Sequence, residues 1–304
     1  MTQLFLEQAL NGLQFGLMLF LLAAGLTLVF GIMDMINLAH GSLYMVGAYL
    51  AATVAAVSGS FIVGVLAAVI GTAIIGALLE VTVLRRLYVR DHLSQVLATF
   101  ALIMIANESV RLIWGDQAVM LNPPDALSGP LEIAGFSYPA FRLLIIGVGV
   151  AVALLLYLVV TRTKVGMWVR AGASNREMAE AMGINVKQLF TLVFAAGAGL
   201  CALAGAMLGP LLAVQVGMGE SILILAFVVI VIGGIGSIRG ALVGSLLVGI
   251  VDTMGRALLP WVLREFLPGP VAANLGPALA AISIYLLMAA ILFWRPAGLF
   301  PARG

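Results

Sequence analysis

The sequence predicts an all-α, polytopic transmembrane bundle of eight or nine spans, one of them a candidate re-entrant segment. Three observations carry this. The 304 residues are 63% apolar and only 9% charged, with a mean hydropathy of +1.19, whereas a soluble domain uses about 25% charged residues to cover its surface. The apolar residues fall into runs close to the ~20 needed to cross a bilayer. The basic residues collect in alternate loops, as the positive-inside rule requires of a multi-pass protein. The whole chain, 1–304, reads as one transmembrane domain.

Taken in order, the expected spans are 9–31, 38–57, 61–83, 96–113, 141–160, 189–212, 221–236, 240–259 and 277–294. The first lacks a basic leader, since Met1 to Gln8 carries Glu7 and no Lys or Arg, so it reads as retained rather than cleaved. The seventh is short and ends in Gly233-Gly234-Ile235-Gly236. It reads either as a span or as a half-helix, which a membrane tolerates only where protein or a water cavity satisfies the backbone. Between the fifth and sixth spans, loop 161–188 holds Arg162, Lys164, Arg170, Arg176 and Lys187. Arg85, Arg86 and Arg90 follow the third span, and Arg295 and Arg303 follow the last. Loop 114–140 holds Asp116, Asp125 and Glu132 with no basic residue. Basic loops placed in the cytoplasm put the N-terminus outside and the C-terminus inside, with Arg256 and Arg264 falling on the outer side. In loop 114–140, Asn122-Pro123-Pro124-Asp125 is a breaker, and Leu131 to Tyr138 reads as a short strand or hairpin arm.

Small residues recur at four-residue intervals. Gly197, Cys201, Gly205 and Gly209 form such a stripe in the sixth span, and Gly64, Ala68, Thr72 and Gly76 form another in the third. Gly12 with Gly16, and Gly240 with Gly244, repeat the spacing. Lipid gives helices no hydrophobic reason to associate, so close backbone approach through small residues is the ordinary use of this pattern. Helix packing is the reading, with gating as the alternative. Cys201 is the only cysteine, which rules out a disulfide within the chain.

Two polar stretches stand out. In the first, Asp34, Asn37 and His40 lie between the first two spans, beside Gly31 and Gly41. Their i, i+3, i+6 spacing would place them on one helical face, and polar groups at membrane depth usually face a cavity or partner. Asp34, Asn37, His40 and Gly41 are therefore candidates for a substrate pathway, built on a partly unwound backbone. The plainer reading is a turn in which Asp34 and Asn37 cap the second span. In the second, Ser174 to Gly183 reads as a short helix with a capping box of Ser174 and Glu177 and a stop at Gly183. Asn185 would cap the next span. Met178, Ala181 and Met182 on one side resemble a docking knob for a partner's groove, or else an interfacial helix on lipid headgroups.

The lysines, Lys164 and Lys187, lie outside any G-x-x-x-x-G-K-[ST] sequence, so the chain has no P-loop of its own. No H-E-x-x-H or paired-cysteine motif occurs. No catalytic residue, metal, cofactor or nucleic-acid partner is expected. Glu108 with Arg111, and Asp252 with Arg256, are spaced as intrahelical ion pairs.

Four stretches in order resemble the branched-chain amino-acid ABC transporter permeases of the LivH type. They are Asn37-Leu-Ala-His40-Gly41-Ser42-Leu-Tyr-Met-Val-Gly47, Asn175-Arg-Glu-Met-Ala-Glu-Ala-Met-Gly183-Ile-Asn185, Gly233-Gly-Ile-Gly-Ser-Ile-Arg-Gly240-Ala-Leu-Val-Gly244 and Arg295-Pro-Ala-Gly298-Leu-Phe300. Many members carry an acidic residue where this chain has Ser42. Urea and short-amide permeases are similar through the same stretches. The resemblance implies a non-catalytic permease in a bacterial inner membrane, paired with a second homologous permease. It further implies two cytoplasmic ATPases docked on loop 161–188, through Ser174, Glu177, Met178, Ala181, Met182, Gly183 and Asn185. A periplasmic or extracellular binding protein would deliver the substrate. An ion-coupled secondary transporter and a passive channel are the competing classes.

Overall fold

The computed structural model describes residues 2–35, 37–133 and 136–300; Arg303 lies outside them. The helices in order are α1 (Thr2–Met33), α2 (His40–Ser58), α3 (Phe61–Leu79), α4 (Arg85–Leu87), α5 (His92–Trp114), α6 (Ala140–Arg162), α7 (Lys164–Ser174), α8 (Arg176–Ala181), α9 (Val186–Leu208), α10 (Met218–Gly233), α11 (Ile238–Leu263) and α12 (Gly269–Trp294). A π-helical turn, Glu80–Leu84, joins α3 to α4. Eight of these segments are long and apolar enough to cross a membrane. The protein is a multi-pass α-helical bundle.

α1 is the axis. Its most apolar window is 83% buried, against 11% for α6 and 17% for α5 and α12. Helices α11 and α9 pack most extensively against it, while α5, α6 and α12 turn apolar side chains such as Phe100, Leu154 and Leu286 outward. A soluble protein rarely exposes apolar surface on this scale, but lipid accepts it. Small residues set how close the inner helices come. A Cβ on Gly16 would lie 2.8 Å from the Ser245 carbonyl oxygen of α11, and one on Gly205 would lie 2.3 Å from the Tyr44 carbonyl oxygen of α2. Gly197 faces the Gly25 backbone, Gly209 faces Leu121, Gly76 faces Ala198, and Cys201 is fully buried. Gly12 and Gly16 meet the middle of α11 while Gly31 meets Gly236 just before it, so α1 and α11 run antiparallel.

Several boundaries differ from expectation. The ninth span begins at Gly269 rather than 277, because Pro277 sits inside α12 and Pro268 precedes its first turn. Proline is tolerated inside membrane helices where neighbours compensate for the lost hydrogen bond. The sixth span stops at Leu208 and not at 212, with the Gly209 amide donating to the Gly205 carbonyl as the closing bond. The seventh segment is the 16-residue α10, about 24 Å long where the hydrocarbon layer is about 30 Å thick. It packs on Gly41 at its first turn and on Gly240 at its last.

Gly234 ends α10 at a φ of 103°, and the tail folds back onto it. The Leu299 and Phe300 amides donate to the Ile232 and Gly233 carbonyls at 2.9 Å each. In loop 114–140, Pro130–Ile133 (β1) and Phe136–Pro139 (β2) pair antiparallel with Leu131 opposite Tyr138, giving the expected hairpin. Arg111 meets Glu108 at 2.5 Å, and Arg256 meets Asp252 at 2.8 Å.

Candidate functional site

The break between α1 and α2 is made by Asp34. Its φ is +51°, and its amide still donates to the Phe30 carbonyl at 3.0 Å. Asp is among the few residues that enter the left-handed region at modest cost, and here it stops α1. Asn37 then closes a local turn, its Oδ1 accepting from the Ala39 amide at 3.0 Å. Because α1 ends at Met33 and α2 begins only at His40, Asp34, Asn37 and His40 do not share a helical face, which corrects the spacing argument. Asp34 is exposed, whereas Asn37 and His40 are fully buried. The His40 ring lies against Gly25 and Gly197 and meets Phe194 edge-on at 6.2 Å. Among the described residues, Nδ2 of Asn37 and both ring nitrogens of His40 lack a hydrogen-bond partner. Gly41 is pressed against Gly219, where a Cβ would lie 2.4 Å from a carbonyl oxygen. Asp34 lines one of the two cavities described below, and Asn37 and His40 line neither of those two.

Loop 161–188 folds as two helices joined at Asn175. Thr163 caps α7 by accepting from the Gly166 amide at 3.2 Å. The cap of α8 is Asn175, whose Oδ1 accepts from the Met178 amide at 2.9 Å. The expected capping box of Ser174 and Glu177 is therefore corrected: α7 runs through Ser174, so the free amides of α8 begin one residue later. Gly183 ends α8 at a φ of 86°, with the Ile184 amide reaching back to the Ala179 carbonyl at 3.0 Å. Asn185 caps α9 by accepting from the Gln188 amide at 3.1 Å. Ala179 is buried, while Met178, Ala181 and Met182 are exposed, Met182 by 77%. Arg176 fixes α8 to the bundle: its guanidinium donates to the Ile32 carbonyl at 2.9 Å and lies 5.1 Å from the Phe190 ring centre.

One cluster beside this loop escaped the sequence reading. Glu80 is fully buried at the π-helical turn. It accepts from Arg85 at 2.9 and 3.2 Å, from the Tyr88 hydroxyl at 3.0 Å and from the Thr191 hydroxyl at 2.7 Å. A π turn closes i to i+5, which brings Arg85 onto Glu80. A Glu followed by Arg five residues later at the end of an apolar run is the signal that was available. Burial first, and then the charge of Glu80, push the Tyr88 phenol well above its ordinary range.

Two cavities flank α1, the first mostly polar and the second mostly apolar. One, of about 550 Å³, opens at the end bearing α7 and α8, and is lined by α1's last turn, Tyr88, Arg90, His92, Gln95 and Arg176. The other, of about 540 Å³, lies at the far end, lined by Gln8, Asn11, Gln14, Arg142 and Arg256. There Asn11 Oδ1 accepts from Arg142 and from the Tyr138 hydroxyl. Between the cavities, residues 17–24 of α1 are each at most 3% exposed. The arrangement holds a polar cavity at one end of a buried waist and a more apolar one at the other, and it exposes Met178 and Met182 at the basic end.

A membrane bundle with these parts belongs to the class of transport permeases. The chain is a member of the family described as the branched-chain amino acid transport system permease component, whose model matches residues 8–292. It is 30% identical to the high-affinity branched-chain amino acid transport permease BraD of Pseudomonas aeruginosa, over 83% of this chain and 86% of that one. It is 30% identical to the corresponding permease LivH of Escherichia coli K12, over 84% and 87%. A shorter likeness, 34% identity over 34% of this chain, is to the fructose import permease FrcC of Rhizobium meliloti. No solved structure matches it.

Proposed function

We propose that this chain is the permease subunit of a binding-protein-dependent ABC importer carrying branched-chain amino acids. The observation that carries the reading is the likeness to permeases named for that cargo, which extends over most of the chain. The subunit does no catalysis; without a P-loop, it takes its energy from two cytoplasmic ATPases. A second homologous permease and an external binding protein complete the system. The basic end faces the cytoplasm, with the N-terminus outside and the C-terminus inside the bacterial inner membrane. Met178, Ala181 and Met182, presented on a helix pinned by Arg176 and Ala179, support α8 as the ATPase seat.

Reconstituted with its ATPases, second permease and binding protein, the chain should take up leucine into proteoliposomes only when ATP is supplied. Uptake of labelled urea in place of leucine, or leucine uptake by this chain alone on an ion gradient, would overturn the reading. Glu177→Lys combined with Met178→Asp should abolish co-purification of the ATPase and leave membrane insertion intact. Recovery of the ATPase at the wild-type level would remove α8 from the docking role.

A further inference from the structure

The last turn of α6 gathers positive charge from two distant segments. Arg239, at the start of α11, holds its guanidinium carbon 5.8 Å from the centre of the Tyr157 ring. Arg170 of α7 donates to the Val160 carbonyl. Tyr157 and Val160 are three residues apart, so they lie on one side of the helix. Arg162 ends α6 and Lys164 opens α7. All four cations are exposed, and among the described residues none of them forms an ion pair. A guanidinium carries five N–H donors, and Arg170 commits one nitrogen to Val160. Both arginines therefore keep donors for an anion, in the fork geometry that suits phosphate.

The same turn continues an apolar face. Leu154, Leu155 and Leu158 of α6 are each more than half exposed. With 23 residues, α6 has the length to cross the bilayer, so its last turn lies at headgroup level. There α7 folds tightly against it, with Gly166 pressed onto the Val159 and Val160 carbonyls. The buried side of α7 is Gly166, Val169 and Gly172, while Met167 and Trp168 are exposed beside its cations. A short basic helix that exposes a Trp suits the membrane–water interface. Free phosphate would match the arginines but has no use for the leucines. An acidic protein surface would match the charge but not a face that meets lipid.

We propose that the junction of α6 and α7, together with Arg239, binds an anionic phospholipid. Its phosphate sits on Arg170 and Arg239, and its acyl chains run along Leu154 and Leu158. The site does not depend on what the bundle carries. Because α7 meets α8 at Asn175, a lipid held there fastens to the membrane surface the helix from which α8 starts.

The test is native mass spectrometry of the full chain in detergent, titrated with dioleoylphosphatidylglycerol or dioleoylphosphatidylcholine. Phosphatidylglycerol should be retained at least about fivefold better. Arg170→Gln and Arg239→Gln should each lower its retention about fivefold and leave phosphatidylcholine unchanged. Arg86→Gln removes one charge from an exposed position on α4 and should change retention less than about twofold. Equal retention of the two lipids, or an equal effect of all three variants, overturns the site. If Arg170→Gln lowers the thermal midpoint, Arg239→Gln alone decides. Displacement of phosphatidylglycerol by about 10 mM inorganic phosphate would make this a phosphate site and overturn the lipid assignment. Unchanged lipid retention with lost co-purification of the ATPases would give the arginines to a protein partner and overturn it equally.

Discussion

Two helix breaks lie at the same end of the bundle and treat their polar groups in opposite ways. At Glu80–Leu84 both carboxylate oxygens are partnered, by Arg85, Tyr88 and Thr191, and the break joins α3 to α9. Between α1 and α2, the buried Asn37 and the first residue of α2, His40, keep nitrogens without partners among the described residues. A fully satisfied buried network gives rigidity, whereas an unsatisfied buried group costs free energy unless something else accounts for it. The first break is a clasp. The second is where the fold tolerates a cost, and such places concentrate at functional elements.

The sharpest way to break this contrast is to remove one member of the clasp. Glu80→Ala leaves the Arg85 guanidinium and the Thr191 and Tyr88 hydroxyls without their common acceptor. It should cost about 1–3 kcal/mol, since the Arg85 side chain is a third exposed and can still be solvated, read as a clear fall in the thermal midpoint in detergent. A fall no greater than that of an exposed substitution would show that Glu80 is replaceable. His40→Leu is the matching change at the other break. Removing a buried group that has no partner should move stability by less than about 1 kcal/mol, while leucine uptake falls if the pathway runs past α2. If His40→Leu unfolds the protein as Glu80→Ala does, the ring has a partner and the contrast collapses. The smallest effect is expected at Asp34→Gly. Freed of a left-handed φ, the chain should gain up to about 1 kcal/mol, offset in part by the flexibility glycine restores to the unfolded state. A loss of more than that would mean that the Asp34 carboxylate stabilises the folded chain.

Much of the bundle was legible because hydropathy and loop charge are local properties. The eight long helices, the hairpin at Leu131 to Tyr138, the stop at Gly183 and the cap at Asn185 each follow from a few neighbouring residues. The expected ninth-span boundary failed at Pro277, since a proline reads as a stop when its compensating neighbours are unknown. The capping box failed by one residue because α7 extends through Ser174 and leaves Asn175 to open α8. The shared face of Asp34, Asn37 and His40 failed because one left-handed residue ends the helical period. The Glu80 cluster was hidden for a different reason. Thr191, which completes it, is 111 residues away and on another helix. The basic-end cavity was hidden likewise, since its walls come from α1, α5 and α7.

The return of the tail onto α10 has a consequence for biogenesis. The last carbonyls of a helix have no partner within it, and those of Ile232 and Gly233 receive theirs from Leu299 and Phe300. Leu299 and Phe300 follow α11 and α12 in the chain, so the ribosome makes those donors well after α10. Until then α10 holds an unfinished end, and a chain halted after α12 would never finish it. The fold thus ties the end of α10 to the segment after α12, which must be in place before these two carbonyls of α10 receive those donors.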